Sequence, residues 1–318
     1  MLSFRPGGIE DLPVLEESLQ RREGFRGYAG DHSLPTVRAR IGRSYRELLE
    51  ACDRPPLWIA QEAGQWRGFA LWSFEMADLA TEARYAGLVD FHAPEPLLDG
   101  LLQPGLETAR RAGLEQIVVE VPAGDTAEEA YFSARGFHVE LLRVGKAVQS
   151  HDLGAGRQKE FGLRRARERD RMFIQLLNAE HTHFMVPPGR EQETESIRQA
   201  CFASFARLDL EDDPVTAVLL AWDRKSYRSA GYIMVRTAQL DAISAGSLAY
   251  LYDLNVHRDY WGRYAAHCLV RGAENWLFER GVSYWYADIS AGNPRPLKTA
   301  VKQLGFRLLS RRWARRSG

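Results

Sequence analysis

The side chains best suited by type and spacing to chemistry gather in the second half of the chain. Asp253 is the one ionisable carboxylate in Leu248–Val256, an otherwise apolar and aromatic segment that reads as a strand. A carboxylate there is costly unless it is paired or used; a proton-accepting role and a salt bridge to an arginine are both open. By alternation Tyr250, Tyr252, Leu254 and Val256 share one face of that strand, and Asp253 and Asn255 the other. The run Val256-His257-Arg258-Asp259-Tyr260-Trp261-Gly262-Arg263-Tyr264-Ala265-Ala266 then passes through a glycine turn into a helix. Free N–H groups and the helix dipole make such a turn an anion site; without a ligand it is a plain strand-to-helix connection. Asn293, between Gly292 and Pro294, marks a helix start and reads as an N-cap or a ligand contact. His181-Thr182-His183 has two-ligand metal spacing but no evident third ligand, so no metal site is expected. His267 and Cys268 fall inside a helix and read as packing. Cys52, Cys201 and Cys268 form no close pair, against both a disulfide framework and a Cys-rich metal site.

The elements that must position these residues occur twice. Each half opens with a short strand and a helix, Leu2–Pro6 before Ile9–Arg22 and Phe161–Arg165 before Glu168–Ala179. Two strands follow in each, Leu57–Gln61 with Trp66–Phe74 and Thr216–Trp222 with Tyr227–Thr237. Then come a strand and a long helix closed by glycine: Tyr85–His92 with a helix to Gly113, and Leu248–His257 with a helix to Gly281. Apolar strands Gln116–Val121 and Ser283–Ile289 precede a short helix that ends at Gly136-Phe137 or Gly305-Phe306, and a last strand. Leu88 to Gly113 and Val256 to Gly281 are both 25 residues. The polar, glycine-rich stretch 151–159 reads as a linker, so the expected domains are 1–150 and 160–318. The fold class is α/β with a mixed sheet.

This layout, with the Val256–Leu269 segment, resembles the GNAT superfamily of N-acetyltransferases, in a tandem two-domain arrangement. The resemblance implies that Leu254, Asn255 and Val256 pair with the pantetheine of an acyl-coenzyme A. It also implies that Trp261, Gly262, Arg263, Tyr264, Ala265 and Ala266 hold the pyrophosphate, with Tyr264 donating from helical geometry, and that Asn293 contacts the cofactor. In the first half, Ala93-Pro94-Glu95-Pro96-Leu97-Leu98 falls at the corresponding place, with two prolines and an acid in place of donors. That half is expected to be degenerate. The family's thiolate-protonating tyrosine falls at Val301 and at Phe132, neither with a hydroxyl. Tyr252, Tyr260 and Tyr284 are the hydroxyls at hand, and Tyr252 joins Asp253 as the expected catalytic pair.

The implied function is transfer of an acetyl or other small acyl group from acetyl-CoA, or another acyl-CoA, to an amine by direct attack. A non-catalytic GNAT-fold binding protein is the alternative, and an aminoacyl-tRNA-dependent transferase a third. The chain has 318 residues with 42 basic and 42 acidic side chains, 45% apolar and 26% charged, which excludes disorder, collagen and coiled coil. Residues 1–150 carry 16 basic and 23 acidic side chains, and residues 151–318 carry 26 and 19. That asymmetry suggests mutual docking or an anionic ligand on the C-terminal side. With a pI near neutral, Arg311–Arg316 reads as a solvated or docking tail rather than a nucleic-acid contact. Met1–Gly7 lacks a signal-peptide core, and the apolar runs are too short to span a bilayer. A cytoplasmic protein with a small-molecule amine or peptide acceptor is expected.

Overall fold

The computed structural model describes residues 1–21, 35–51, 54–77, 83–153, 159–237 and 248–317. Cys52 and part of the linker stretch, 154–158, lie outside the described residues. The chain forms two compact units, Met1–Val139 with Ser310–Gly318, and Glu140–Leu309.

Unit 1 contains β1 (Leu2–Gly7), α1 (Leu12–Arg21), α2 (Pro35–Ala51), β2 (Leu57–Glu62), β3 (Gln65–Ala77), β4 (Arg84–His92), α3 (Glu95–Arg111), β5 (Gln116–Pro122) and α4 (Thr126–Ala134). Unit 2 contains β7 (Phe161–Arg165), α5 (Arg171–Met185), α6 (Thr194–Arg207), β8 (Thr216–Asp223), β9 (Ser229–Arg236), β10 (Leu248–Val256), α7 (Ala265–Phe278), β11 (Tyr284–Ser290) and α8 (Pro294–Gln303). In each unit the first four strands run antiparallel, and the fourth then pairs parallel with the fifth.

The sixth strand of each sheet comes from the other half of the sequence. β6 (His138–Ala147) pairs antiparallel with β11 of unit 2, from Leu141↔Ser290 to Ala147↔Tyr284. β12 (Arg307–Arg316) pairs antiparallel with β5 of unit 1, from Ser310↔Pro122 to Arg316↔Gln116. The unit boundaries therefore differ from a division at 1–150 and 160–318. Side chains secure both strands. Lys146 of β6 lies 2.8 Å from the buried Glu274 of α7, which also accepts from His151 at 2.8 Å. Arg311 of β12 pairs with Glu129, and Arg312 and Arg315 lie over the rings of Tyr85 and Phe137. The basic C-terminal run is thus a paired strand, not a tail, because alternate residues such as Trp313 enter the core of unit 1.

The repeat extends to individual contacts. Arg5 forks onto Asp11 at 2.6 and 2.8 Å, and Arg164 onto Asp170 at the same two distances. Each aspartate also accepts a backbone N–H three residues earlier, from Gly8 or Arg167. This fastens the first strand of each unit to the start of its first helix. In Asp11 the Arg5 hydrogen bond holds the carboxyl below its ordinary range. In Asp170 burial works upward, but Arg164 and the Arg167 N–H outweigh it and the net shift is also downward.

Each core lies between sheet and helices. Unit 1 buries Trp72, Phe74, Leu101, Ile117, Val119 and Phe132. Unit 2 buries Leu269, Ala273, Leu277 and Trp285 on one face, and Ile174, Leu177, Phe205 and Tyr232 on the other. Full burial of each Leu, Ile, Val or Phe among them contributes about 1.5–3 kcal/mol.

Candidate active site

β10 and β11 pair only from Leu248↔Tyr284 to Leu251↔Ala287, then part. Beyond that point the edge of β10 that faced β11 carries backbone groups with no strand beside them. On its other edge β10 stays paired with β9 but takes in an extra residue: Leu251 faces Val235 and Asp253 faces Met234, leaving Tyr252 as a bulge. The bulge resets the alternation. Ala249, Leu251, Leu254 and Val256 all pack in the α7 cluster, while Asp253 and Asn255 meet α5. Tyr250 and Leu254 therefore do not share a face, contrary to simple alternation. Gly231 lets β9 approach closely here, since a Cβ on it would lie 2.4 Å from the Asn255 carbonyl oxygen.

Asp253 is buried at 7% exposure within a polar network. Its carboxylate accepts from Asn178 Nδ2 at 2.8 Å, from the Tyr232 hydroxyl, and from Asn255 Nδ2 at 2.8 and 3.0 Å. Burial pushes the Asp253 carboxyl up, against these donated hydrogen bonds, and burial pushes the Tyr232 hydroxyl well up. Asn255 Oδ1 lies 2.8 Å from His181 Nδ1. Helix α5 runs to Met185, so His181 lies in its last turns rather than after it, one turn from Asn178 on the same side. The end of α5 also reaches β11, where Ser290 Oγ donates to the Val186 carbonyl at 2.9 Å. The C-terminal end of α5 thus bridges β10 and β11 where the two strands no longer pair.

The turn after β10 leaves two positive-φ residues, Gly262 (78°) and Tyr264 (64°). Tyr264 is left-handed at the N-cap of α7, not helical as expected, because the chain must reverse before Ala265 opens the helix. The Trp261 and Arg263 N–H groups donate within the turn, to Arg258 at 3.2 Å and Tyr260 at 3.1 Å. The Arg263 side chain is drawn to Asp223 at 3.2 Å, and the Trp261 indole N–H donates to the Val256 carbonyl at 2.7 Å. Ala265, Ala266 and His267 form the first turn of α7, whose N–H groups have no intrahelical acceptor. That turn holds no acid, and a Cβ added at Gly262 would meet nothing beyond its chain neighbours within 4 Å. These features fit a pyrophosphate. Asn293 caps nothing through its side chain; its Nδ2 reaches the Phe184 carbonyl at 3.5 Å. The Tyr252 ring lies against Tyr250 at 4.7 Å, and its hydroxyl has no hydrogen-bond partner among the described residues.

Unit 1 repeats the frame without the turn. β4 pairs with β5 only to Leu88↔Val119, Val89 is a bulge, and buried Asp90 accepts the Tyr45 hydroxyl. The last parallel pairs show that Leu88 corresponds to Leu251, not Val256, so the equal 25-residue spacings do not join equivalent points. The connection into α3 is Ala93–Pro94 alone, against His257–Tyr264 before α7. The first turn of α3 contains Glu95 and Pro96, a negative charge and a missing donor, which do not fit a pyrophosphate. At the family's tyrosine position Phe132 is buried and Val301 is 41% exposed. Among the described residues no group of His, Cys, Asp and Glu could hold a metal, and no helix is long and apolar enough to cross a membrane.

Sequence reading picked out Asp253 and the Gly262 turn but missed Asn178, Tyr232 and His181 as partners. The available signal was the Asn178–His181 spacing on one helix face. A second cluster it missed is Arg143, forked onto Asp288 at 2.9 and 3.0 Å, with the Tyr250 hydroxyl 3.3 Å from the same carboxylate.

No curated protein matches the chain in sequence. Solved structures do match it in fold. A GCN5-related N-acetyltransferase from Sphaerobacter thermophilus aligns over 99% of this chain and 96% of its own, at 13% identity and a TM-score of 0.54. A tandem GNAT protein from the clavulanic acid biosynthesis pathway aligns over 100% and 99%, at 16% identity and a TM-score of 0.50. A sequence model of the acetyltransferase (GNAT) family matches residues 171–306, from the start of α5 to just past α8. The α5–α8 segment that builds this site is thus the part of the chain that matches the GNAT family in sequence.

Proposed function

We propose that unit 2 binds an acyl-coenzyme A and transfers its acyl group to an amine by direct attack. The observation that carries this reading is the parting of β10 from β11 beside an acid-free α7 N-terminus with an open glycine turn. Backbone groups of Leu254–Val256 offer the edge for pantetheine amides. The N–H groups of Ala265, Ala266 and His267, with the turn at Gly262, face the pyrophosphate. Trp261, Arg263 and Tyr264 shape the turn rather than supply its donors, and Asn293 ties α8 to the end of α5. Tyr252, at the bulge with an unengaged hydroxyl, is the group assigned to protonate the departing thiolate. With a thiol pKa of about 8.5, such a donor helps rather than decides. Unit 1 holds no second coenzyme, because Glu95 and Pro96 occupy the equivalent helix start. A binding protein without turnover is the second reading, favoured by Val301 at the position where the family carries its acid.

Titration calorimetry of the full chain with acetyl-coenzyme A tests this. One site per chain is expected. Ala266→Pro removes a single N–H from the first turn of α7, where that group has no intrahelical acceptor to lose. Loss of a charge-assisted hydrogen bond worth about 1.5–3 kcal/mol should weaken Kd by roughly 10- to 150-fold. Absence of binding, or two bound coenzymes per chain, would refute the assignment.

A further inference from the structure

We propose that His181 is the proton acceptor for the attacking amine, held in its working tautomer by Asn255, with Asp253 as a positioning residue behind it. This rests on the reading of unit 2 as an acyl-coenzyme A-dependent transferase.

Asp253 anchors the arrangement. Both of its oxygens lie within 3.0 Å of Asn255 Nδ2, whose other neighbour is the Tyr232 hydroxyl at 3.1 Å. An amide NH2 satisfies those acceptors and its carbonyl does not, so Asn255 has one orientation and Oδ1 must face His181. An oxygen at 2.8 Å from Nδ1 requires Nδ1 to carry the proton. A neutral imidazole then bears its lone pair on Nε2, and Nε2 has no hydrogen-bond partner among the described residues. The residue is only 7% exposed. A buried imidazole with one nitrogen fixed and the other open is the arrangement in which a third group orients a base.

Its position suits the role. His181 stands at the end of α5 that spans the parted strands, 6.0 Å ring to ring from Trp261 of the turn. Asp253 is less suited to act directly, since every donor around it already points at its carboxylate. In the step assigned to His181, the amine lone pair forms the C–N bond to the thioester carbonyl carbon and the C–S bond breaks. The proton lost by nitrogen passes to Nε2, and the thiolate sulfur takes up a proton, so an amide and a free thiol result.

The imidazole's surroundings are mixed. Asn255 and, behind it, Asp253 face it from β10; Phe184, with the His183 ring tilted against it, follows in α5. Trp261 faces it from the turn, with Arg295 of α8 over that indole at 5.2 Å. The neighbouring Glu180 is engaged by Arg258 at 3.2 Å.

The experiment uses the full chain. Nitrogen-15 imidazole spectra at neutral pH should show His181 protonated at Nδ1, and Asp253→Asn should spoil that preference by releasing the Asn255 amide. Thiol release from acetyl-coenzyme A with a panel of primary amines should fall about 10²–10⁴-fold in kcat for His181→Gln. The acetyl-coenzyme A Kd from calorimetry should change less than about twofold, so the loss lies in kcat and not in cofactor binding. A proton on Nε2 in the unmodified chain, an unchanged kcat in His181→Gln, or bound acetyl-coenzyme A with no amine acylated would each overturn the proposal. Failure of acetyl-coenzyme A to bind at all would instead strike the reading of unit 2, and the tautomer measurement would still stand by itself.

Discussion

A methyl group on Gly231 would lie 2.4 Å from the Asn255 carbonyl oxygen and 2.9 Å from Val256 Cα. Both are backbone, so no side chain can swing aside. Gly231→Ala must push β9 away from β10 where Asn255 enters the polar network. Overpacking of this kind costs about 1–3 kcal/mol, and calorimetric unfolding should show Tm lowered by several degrees. Turnover should fall further than acetyl-coenzyme A affinity, because the α7 turn is untouched. At this scale the sequence was legible in one residue of each pair. Asp253 stands out as a carboxylate among Tyr252, Leu254 and Leu251, and the physical cost of burying it points to partners. The partners were not legible, because naming them needs the bulge at Tyr252, and a bulge leaves no mark in a run of alternating large side chains. Without it, Leu254 is assigned to the face of Tyr250, and His181 reads as a histidine beyond a helix.

The paired Arg5–Asp11 and Arg164–Asp170 contacts act at the scale of elements, each joining a first strand to a first helix. Both carboxyls have folded pKa values below the ordinary value near 3.9. Their contribution is therefore complete above that value and is lost as pH falls through the depressed one. Asp11→Asn and Asp170→Asn should each lower stability at pH 7 by about 2 kcal/mol. The difference from the unmodified chain should shrink below about pH 4 and vanish once the native carboxyls are protonated. Urea unfolding at pH 7, 4 and 2.5 checks this; a constant difference across the series would contradict it. The strands around these joints were readable because Gly113, Gly136, Gly281 and Gly305 close their helices with φ between 67 and 78°, a conformation that glycine adopts freely. Helix α6 gave little to read. It buries only Ile197 and Phe205 in its 14 residues, so its helical period is faint.

For the whole molecule, the exchange of β6 and β12 decides what can be separated. A fragment 160–318 keeps α7 and the Gly262 turn but loses β6, and with it the Lys146 and His151 contacts to buried Glu274. It also carries β12 without β5. That fragment should aggregate on expression, leaving an unpaired strand edge at β11. A fragment 138–309 retains all six strands of unit 2 and should remain soluble and bind acetyl-coenzyme A. Solubility of both fragments alike would show that β6 is dispensable. Sequence alone hid the exchange, since nothing in the residues of either last strand marks which sheet it joins. The same exchange sets a timetable for the ribosome. β6 emerges with residue 147, but its partner β11 is not made until residue 284, an interval of roughly 7–27 s at about 5–20 residues per second. β5 waits longer still, for residues 310–316. Unit 2 cannot complete its sheet before β11 is made, nor unit 1 before β12. The exposed edges of β5 and β6 in the nascent chain are the surfaces a chaperone has to cover.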